Sequence, residues 1–476
     1  MTSRKDVSLW ALVALIIGST VGAGMFSLPQ NIASVAGPGA MLIGWAIAGV
    51  GMLSVAFVFH ILAVRQPNLD SGVYAYARAG LGDFIGFLSG WGYWLGSVIA
   101  QVGYATLFFS TLGHYVPFLQ GHWTVAIAVS CLTWLIFYIL SKGVQQAAVL
   151  NMVTTVAKIV PILSFIVLVA FLGFSWDKFT FDFWGHESGD VFTQVQGVML
   201  FTVWVFIGVE GASVYSRQSR SRKDVSRATL IGFFSVLALL VSISVLSFGV
   251  MSTAELAALP DNSMAAVLEA VVGPWGGALV SFGLCLSVLG AYVSWQMLCA
   301  EPITMMARDG LLPARLSTIS PTGAPIPAQL VSTIVIQALI IVFFLNETTY
   351  VSMVQLATVA YLVPYLFSAI YLLLLAVRGR GLVGGPGVKV SGRDNVRHGV
   401  VAAIAVIYAL WLFYAADPKY ILFGALAVLP GLIPYAWTRR AHGLKMFVGV
   451  EWLLLAIVVA GAAWGVYGLA TGATTL

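Results

Sequence analysis

Charged side chains are scarce in this chain. Asp, Glu, Lys and Arg make up 9% of its 476 residues, whereas hydrophobic residues make up 60%. A water-soluble domain carries roughly 25% charged residues. The polar surface is too small to cover a soluble globule of this size, so lipid must be the solvent for most of the chain.

Other absences narrow the function. The three cysteines, Cys131, Cys285 and Cys299, lie in apolar segments, which argues against a disulfide framework. The six histidines do not cluster at metal-ligand spacing, and no P-loop, HExxH or CxxC motif occurs. We therefore expect no catalytic residues, no cofactor, no metal and no nucleic-acid partner. The apolar run after Arg4 and Lys5 is long and lacks a clear cleavage site, so it is interpreted as a retained first span.

Apolar stretches long enough to cross a bilayer recur along the chain, since one span needs about 20 residues. The sequence predicts thirteen, at residues 8–35, 39–64, 84–112, 123–141, 147–173, 191–215, 228–250, 274–304, 327–345, 350–377, 399–415, 419–438 and 446–468. With the N-terminus in the cytoplasm, the cytoplasmic segments hold 20 of the 23 lysines and arginines. That bias follows the positive-inside rule. The chain is predicted to be a multi-pass helical membrane protein that moves a small solute across the bilayer.

Two predicted spans contain weak points. The first has three glycines between Gly18 and Gly24, each of which weakens a helix by about 1 kcal/mol relative to alanine. The sixth has two glycines that flank Glu210. Unwound backbone in hydrocarbon must line a cavity or be buried in protein. Close helix packing through small residues is the alternative interpretation.

The two weak points lie five spans apart, so their helices run in opposite directions. This is typical of an inverted five-plus-five repeat with a binding site near the membrane midplane. We expect a first repeat at residues 8–173, a second at 191–377 and peripheral helices at 399–468. Freed amides in the first break suit a carboxylate, and freed carbonyls in the sixth span suit an ammonium group. An amino acid carries both.

Four ionisable residues lie within predicted spans: Lys158, Glu210, Glu301 and Glu451. Each costs about 2.5–3.5 kcal/mol at a helix centre, so such residues are usually functional or paired. We favour a functional role for Glu210, whereas Lys158 could instead tether helices through a salt bridge. Glu301 faces either a cavity or the cytoplasmic surface, and Glu451 is assigned an interfacial role. Near these acids, an indole such as Trp295 could bind a cation through its ring face.

Three motifs together resemble the amino acid–polyamine–organocation (APC) superfamily over nearly the whole chain. They are Gly22-Ala-Gly-Met-Phe26, Phe206-Ile-Gly-Val-Glu210 with Ala212-Ser213, and Arg308-Asp-Gly-Leu-Leu-Pro313. The chain is most similar to bacterial basic amino acid antiporters, which include arginine/ornithine antiporters and lysine permeases. One departure is Ala23, where many relatives have serine. The resemblance implies an all-α integral membrane fold of the LeuT/APC type, with the inverted repeat and 12–13 transmembrane helices.

The resemblance also implies roles for individual residues. Thr20, Ala23 and Gly24 would bind the substrate carboxylate, and the carbonyls of Trp204, Val205 and Ile207 its α-ammonium. Tyr93, Gly96, Ser97, Gln101 and Tyr104 would line the cavity. Trp204 matches an aromatic gate, Trp295 an aromatic under the cationic side chain, and Glu210 with Tyr365 an inner gate pair; Glu301 is the further candidate for substrate binding. Lys158 matches a lysine that replaces a sodium ion in some relatives.

The function expected from these residues is sodium-independent exchange of cationic amino acids, arginine against ornithine or lysine, by alternating access. Two alternatives stay open, a proton-coupled amino acid symporter and an ion channel. The expected partners are the amino acid substrate and the lipid bilayer, and a homodimer is compatible with the resemblance. The expected location is the cell (inner) membrane.

Overall fold

The computed structural model describes residues 9–69, 72–142, 145–209, 222–321, 323–378 and 388–473. Within these ranges every regular element is a helix. Glu210, one of the predicted gate residues, lies outside the described residues.

The α-helices of the described part follow one another with short connections. They are α1 (Leu9–Thr20), α2 (Leu28–Ala33), α3 (Pro38–Arg65), α4 (Gly72–Leu81), α5 (Asp83–Gly113), α6 (His122–Ser141), α7 (Gln145–Leu172), α8 (Trp176–Phe181), α9 (Val191–Trp204), α10 (Arg222–Phe248), α11 (Thr253–Ala257), α12 (Ser263–Val272), α13 (Pro274–Arg308), α14 (Ile326–Leu345), α15 (Tyr350–Val377), α16 (Gly392–Ala415), α17 (Pro418–Ala441) and α18 (Glu451–Thr471). Short 3₁₀ turns occur at Ala23–Met25, Pro117–Gln120, His186–Ser188 and Ala314–Ser317.

Ten of the described helices are long and apolar enough to cross a membrane: α3, α5, α6, α10 and α13 to α18. Large apolar side chains on these and neighbouring helices are exposed, for example Phe171, Ile407 and Trp437. Such a surface is stable against lipid and unfavourable in water. The predicted all-α membrane class is thereby confirmed. The last predicted span, at 446–468, corresponds to α18.

The first predicted span is interrupted. α1 ends at Thr20, and the chain passes through an extended Gly22 into the 3₁₀ turn Ala23–Met25 before α2 begins. Pro29 lies in the first turn of α2. Proline is tolerated there because the missing N–H would have no partner within the helix.

The described residues fall into two compact units. Unit 1 comprises those within 1–56, 103–129 and 146–294, and unit 2 those within 57–102, 130–145 and 295–476.

In unit 1, α1 packs on α10 through small and branched apolar side chains. Leu12, Val13 and Ile16 form a buried cluster with Val225 and Ala228. Because these groups are removed from both water and lipid, the contact fixes α1 against the start of α10.

A second organiser of unit 1 is the side-chain amide of Gln194, near the start of α9. Its Oε1 accepts from the N–H of Gly37 (2.9 Å), and the two hydrogens of its Nε2 are shared among the carbonyls of Trp184 (2.8 Å), Gly185 (3.0 Å) and Gly189 (2.8 Å). Gln194 is fully buried. One side chain thus joins the loop before α9 to the connection between α2 and α3.

In unit 2, α5 crosses α15 at close range. A Cβ added at Gly96 would lie 2.7 Å from the ring of Tyr361, and one at Gly92 would lie 2.9 Å from the carbonyl oxygen of Ala360. Both positions therefore require glycine. The close approach is the small-residue packing common between membrane helices.

The third sequence motif lies in an ion-pair network of unit 2. Asp309 accepts from Arg78 (2.7 Å) and from the Tyr74 hydroxyl (2.9 Å). Asp83 receives Arg78 (2.8 Å) and Arg439 (2.7 Å). The network therefore holds α4, the start of α5, the end of α13 and the end of α17 together.

Glu451, assigned an interfacial role from sequence, has an identifiable structural one. Its carboxylate accepts from the N–H groups of Phe84 (3.2 Å) and Val448 (2.8 Å). The first bond satisfies an amide in the first turn of α5, where a negative charge is favourable. Glu451 thus attaches α18 to the beginning of α5.

Candidate functional site

The interruption after α1, in unit 1, leaves three consecutive main-chain N–H groups without a helical hydrogen-bond partner. Within the described residues, the N–H groups of Gly22, Ala23 and Gly24 donate to no backbone or side-chain acceptor. Ala23 and Gly24 are buried. The Thr20 hydroxyl donates to the carbonyl of Ile16 (2.8 Å). Adjacent buried amides with unused hydrogens can bind an anion such as a carboxylate.

The indole of Trp204 packs against Gly24, one of the residues that carry these amides. A Cβ at Gly24 would lie 2.6 Å from Trp204 Nε1 and 3.0 Å from Val205 Cγ1, so only glycine allows the approach. Trp204 also contacts Tyr104, with 5.7 Å between ring centroids. The indole therefore packs against both Gly24 and Tyr104. Unit 1 thus brings together six predicted residues: Thr20, Ala23, Gly24, Tyr104, Trp204 and Val205.

The helix that carries Trp204 ends at that residue. Beyond it, the N–H of Phe206 bonds to Val203 O (2.9 Å), and that of Ile207 bonds to Val203 O (3.1 Å) and Trp204 O (3.3 Å). These tighter, partly shared bonds replace the regular helical ladder. Ile207 is buried at this helix end. The break predicted for the sixth span stays a prediction, because most of it, from Glu210 onward, lies outside the described residues.

Lys158, on α7, reaches the interruption of α1. Its ammonium group donates to the carbonyl oxygens of Gly18 (2.6 Å) and Val21 (2.5 Å). The side chain is buried. Two carbonyls freed by the end of α1 thus receive a protein-borne cation, and the partners in this contact are main-chain carbonyls.

An aromatic cluster surrounds Trp295 in unit 2. Trp295 lies 6.4 Å from Tyr93 and 6.1 Å from Tyr361, measured between ring centroids. Tyr93 and Tyr361 meet edge-to-face at 5.1 Å. Ser97 Oγ donates to the carbonyl of Tyr93 (2.8 Å) and lies 2.8 Å from the Tyr361 hydroxyl. An indole face beside two phenol rings is a suitable contact for an organic cation.

Gln101 continues the same face of α5 one turn further, because residues four apart lie above one another on a helix. Its Nε2 donates to Oε1 of Gln296 (2.8 Å), whose Nε2 donates to Oγ1 of Thr333 (2.9 Å). All three side chains are fully buried. Unit 2 thus contains a continuous chain of amides that ends on α14.

Glu301 and Tyr365 do not join this cluster. Glu301 follows Trp295 by six residues, which turns it about 240° around the helix. Its side chain is exposed whereas that of Trp295 is buried. Tyr365 is buried against Phe59, with 5.7 Å between ring centroids.

Three members of the clusters are not predicted by the sequence analysis: Tyr361, Gln296 and Thr333. Tyr361 lies one turn before the predicted Tyr365, and Gln296 directly follows the predicted Trp295. For Tyr361, an aromatic residue one turn from a candidate is the available signal; Gln296 and Thr333 carry no such signal. Their partners on other helices could not be read from spacing within a span.

The interrupted helix and its freed amides define a polytopic membrane protein of the transporter type. The chain belongs to the amino acid permease family, whose match covers residues 7–439. It is 66% identical to the L-lysine transport protein of Corynebacterium glutamicum, over 100% of this chain and 97% of that protein. It is 46% identical to the arginine/ornithine antiporter of Pseudomonas aeruginosa (100% and 99%) and 35% identical to the arginine/agmatine antiporter of Chlamydia pneumoniae (91% of each).

Proposed function

We propose that this permease exchanges cationic amino acids, with lysine, arginine and ornithine as candidate substrates, by alternating access across the cell membrane. The observation that carries the proposal is the full-length similarity, at 66% identity, to a protein named for L-lysine transport. Relatives named as arginine/ornithine antiporters support exchange as the mode of transport. The positive-inside bias supports a cytoplasmic N-terminus.

In unit 1, we assign the substrate α-carboxylate to the amides of Gly22, Ala23 and Gly24. Their hydrogens have no acceptor among the described residues, and Ala23 and Gly24 are buried, where a hydrogen bond to a charged acceptor is strong. Trp204 covers the carboxylate position and acts as a gate. Val205 and Ile207 lie where α9 ends, so their carbonyls are candidates for the α-ammonium.

In unit 2, we assign recognition of the cationic side chain to Trp295, Tyr93, Ser97 and Gln101. The ring faces provide cation–π attraction, and the hydroxyl and amide provide hydrogen-bonding groups. Glu301 remains a candidate for this role, although it points away from Trp295. Glu210 and Tyr365 remain the candidate inner gate.

Sodium independence is supported by Lys158. Its ammonium group donates hydrogen bonds to the carbonyl oxygens of Gly18 and Val21. Carbonyl oxygens are the kind of ligand that sodium requires, and these two already have a cation as their partner. Alternating access would use the proposed inverted repeat, with its halves at 8–173 and 191–377 and peripheral helices at 399–468. A homodimer is part of the same proposal.

The deciding experiment is uptake of radiolabelled lysine into proteoliposomes. Vesicles loaded with lysine, arginine or ornithine should take up label, saturably and equally well in sodium or choline buffer, whereas empty vesicles should not. Uptake into empty vesicles driven by a proton gradient would instead identify a symporter. Single-channel currents without substrate would identify a channel.

A further inference from the structure

The amide chain of unit 2 has a direction, which is fixed at its far end. The Thr333 hydroxyl on α14 donates to the main-chain carbonyl of Gln329, four residues earlier, at 2.8 Å. A hydroxyl has a single hydrogen. Toward Gln296, therefore, Thr333 Oγ1 can only accept. The group of Gln296 that faces it must be the amide nitrogen, which lies 2.9 Å away.

The orientation of the Gln296 amide in turn fixes the orientation of the Gln101 amide. With its nitrogen toward Thr333, Gln296 turns its oxygen toward α5, where Gln101 Nε2 lies 2.8 Å away. If the Gln101 amide were rotated by 180°, two carbonyl oxygens would face each other. Gln101, Gln296 and Thr333 each have 0% exposed surface. The rotated arrangement is disfavoured, because a buried polar group without a hydrogen-bond partner is costly.

We propose that Gln296 and Thr333 are positioning residues that hold the Gln101 amide with its oxygen turned away from Gln296, as a hydrogen-bond acceptor. The side-chain site of the transporter then favours groups that only donate, such as ammonium and guanidinium. It disfavours a ligand of the same shape that presents a carbonyl oxygen there. The proposal rests on the proposed function, because it assumes that Gln101 contacts the cationic end of the substrate.

The test compares arginine with citrulline, its neutral analogue in which a ureido oxygen replaces one guanidinium nitrogen. In Thr333→Val, a side chain of the same shape neither donates nor accepts, so both orientations of the Gln296 amide become comparable. The preference for arginine over citrulline, measured as the ratio of their half-saturating concentrations in exchange, should fall by about tenfold because a hydrogen bond to a charged group is lost.

Two further variants and a control separate this role from packing. Thr333→Ser keeps the hydroxyl and should restore the arginine-to-citrulline ratio. Gln296→Met interrupts the amide chain between Gln101 and Thr333 and should lower that ratio. Thr229→Val is the matched control, because Thr229 is also fully buried and donates in the same way to the carbonyl of Val225 (2.9 Å). It lies in unit 1 and should leave the ratio unchanged.

The outcomes are distinct. If the wild-type protein binds neither arginine nor lysine, the proposed function is wrong, and so is the positioning role of Gln296 and Thr333. If the wild-type protein prefers arginine and Thr333→Val keeps the same ratio, only the positioning role is wrong. Should Thr333→Val fail to reach the membrane, Gln296→Met decides by the same ratio, and an unchanged value again overturns the positioning role.

Discussion

The contact between Gly24 and Trp204 allows a sharp test, because one methyl group should disable the amide site. In Gly24→Ala, the new Cβ would lie 2.6 Å from the indole nitrogen and 2.7 Å from its neighbouring ring carbon. An ordinary contact needs about 3.5–4.0 Å, so the indole must retreat by roughly 1 Å. The ring of Tyr104 packs against the same indole, with 5.7 Å between ring centroids, so the indole cannot move without disturbing a second contact.

The expected magnitude follows from the cost of overpacking. Inserting a methylene into a close-packed site costs typically 1–3 kcal/mol. If the strain is relieved by displacing the indole from its place beside Gly24, substrate binding weakens by the same free energy. Affinity for lysine or arginine should then fall by about 5- to 150-fold, since about 1.4 kcal/mol corresponds to a factor of ten.

Gly22→Ala is the matched control. Its Cβ would meet nothing closer than 3.8 Å, from the Tyr104 hydroxyl, and Gly22 has an extended conformation that alanine adopts readily. Scintillation proximity binding of radiolabelled lysine to the purified variants compares the two directly. Equal affinity of both variants, at equal expression and melting temperature, would refute the assignment of this contact.

Three further predictions test other parts of the site and its support. Trp295→Leu should weaken binding of arginine by about 1–2 kcal/mol in calorimetry, and unchanged affinity would remove the indole from the site. Lys158→Ala removes two charge-assisted hydrogen bonds, each worth roughly 1.5–3 kcal/mol, and should impair exchange strongly; wild-type rates would make Lys158 merely structural. Asp309→Asn weakens a partly exposed ion pair with Arg78 and should cost about 0.5–1 kcal/mol, seen as a lower melting temperature in low salt. Asp394→Asn is the weaker comparison, because its carboxylate lies 3.9 Å from the Arg397 guanidinium, and it should lower the melting temperature less.

The helical class and the first interruption could be predicted because their causes are local. Scarce charge and long apolar runs define the spans without knowledge of any partner. Three glycines near Gly22 weaken a helix wherever it lies. The partner of Gly24 is different, because Trp204 follows much later in the chain and only the packed unit brings the two together.

The amide chain shows the same boundary between local and tertiary information. Gln101 was identified through the family resemblance, whereas Gln296 and Thr333 lie on two other helices, and nothing in their local sequence marks them as a pair. Glu301 is the opposite case, because helical geometry alone turns a residue six positions on to another face from Trp295. The sequence marks Glu301 as a candidate because an acid within a span is costly. The structure places it on an exposed face of α13, away from Trp295.

The hydrogen bonds of Gln194 should make the loop before α9 open cooperatively. One amide serves four main-chain groups, at Gly37, Trp184, Gly185 and Gly189. These bonds cannot be lost one at a time without leaving the others strained, so the loop should open as a single cooperative segment. A protease that cuts only the opened loop would therefore act as a reporter of sidedness in sealed vesicles, with Gln194→Ala as the sensitised form.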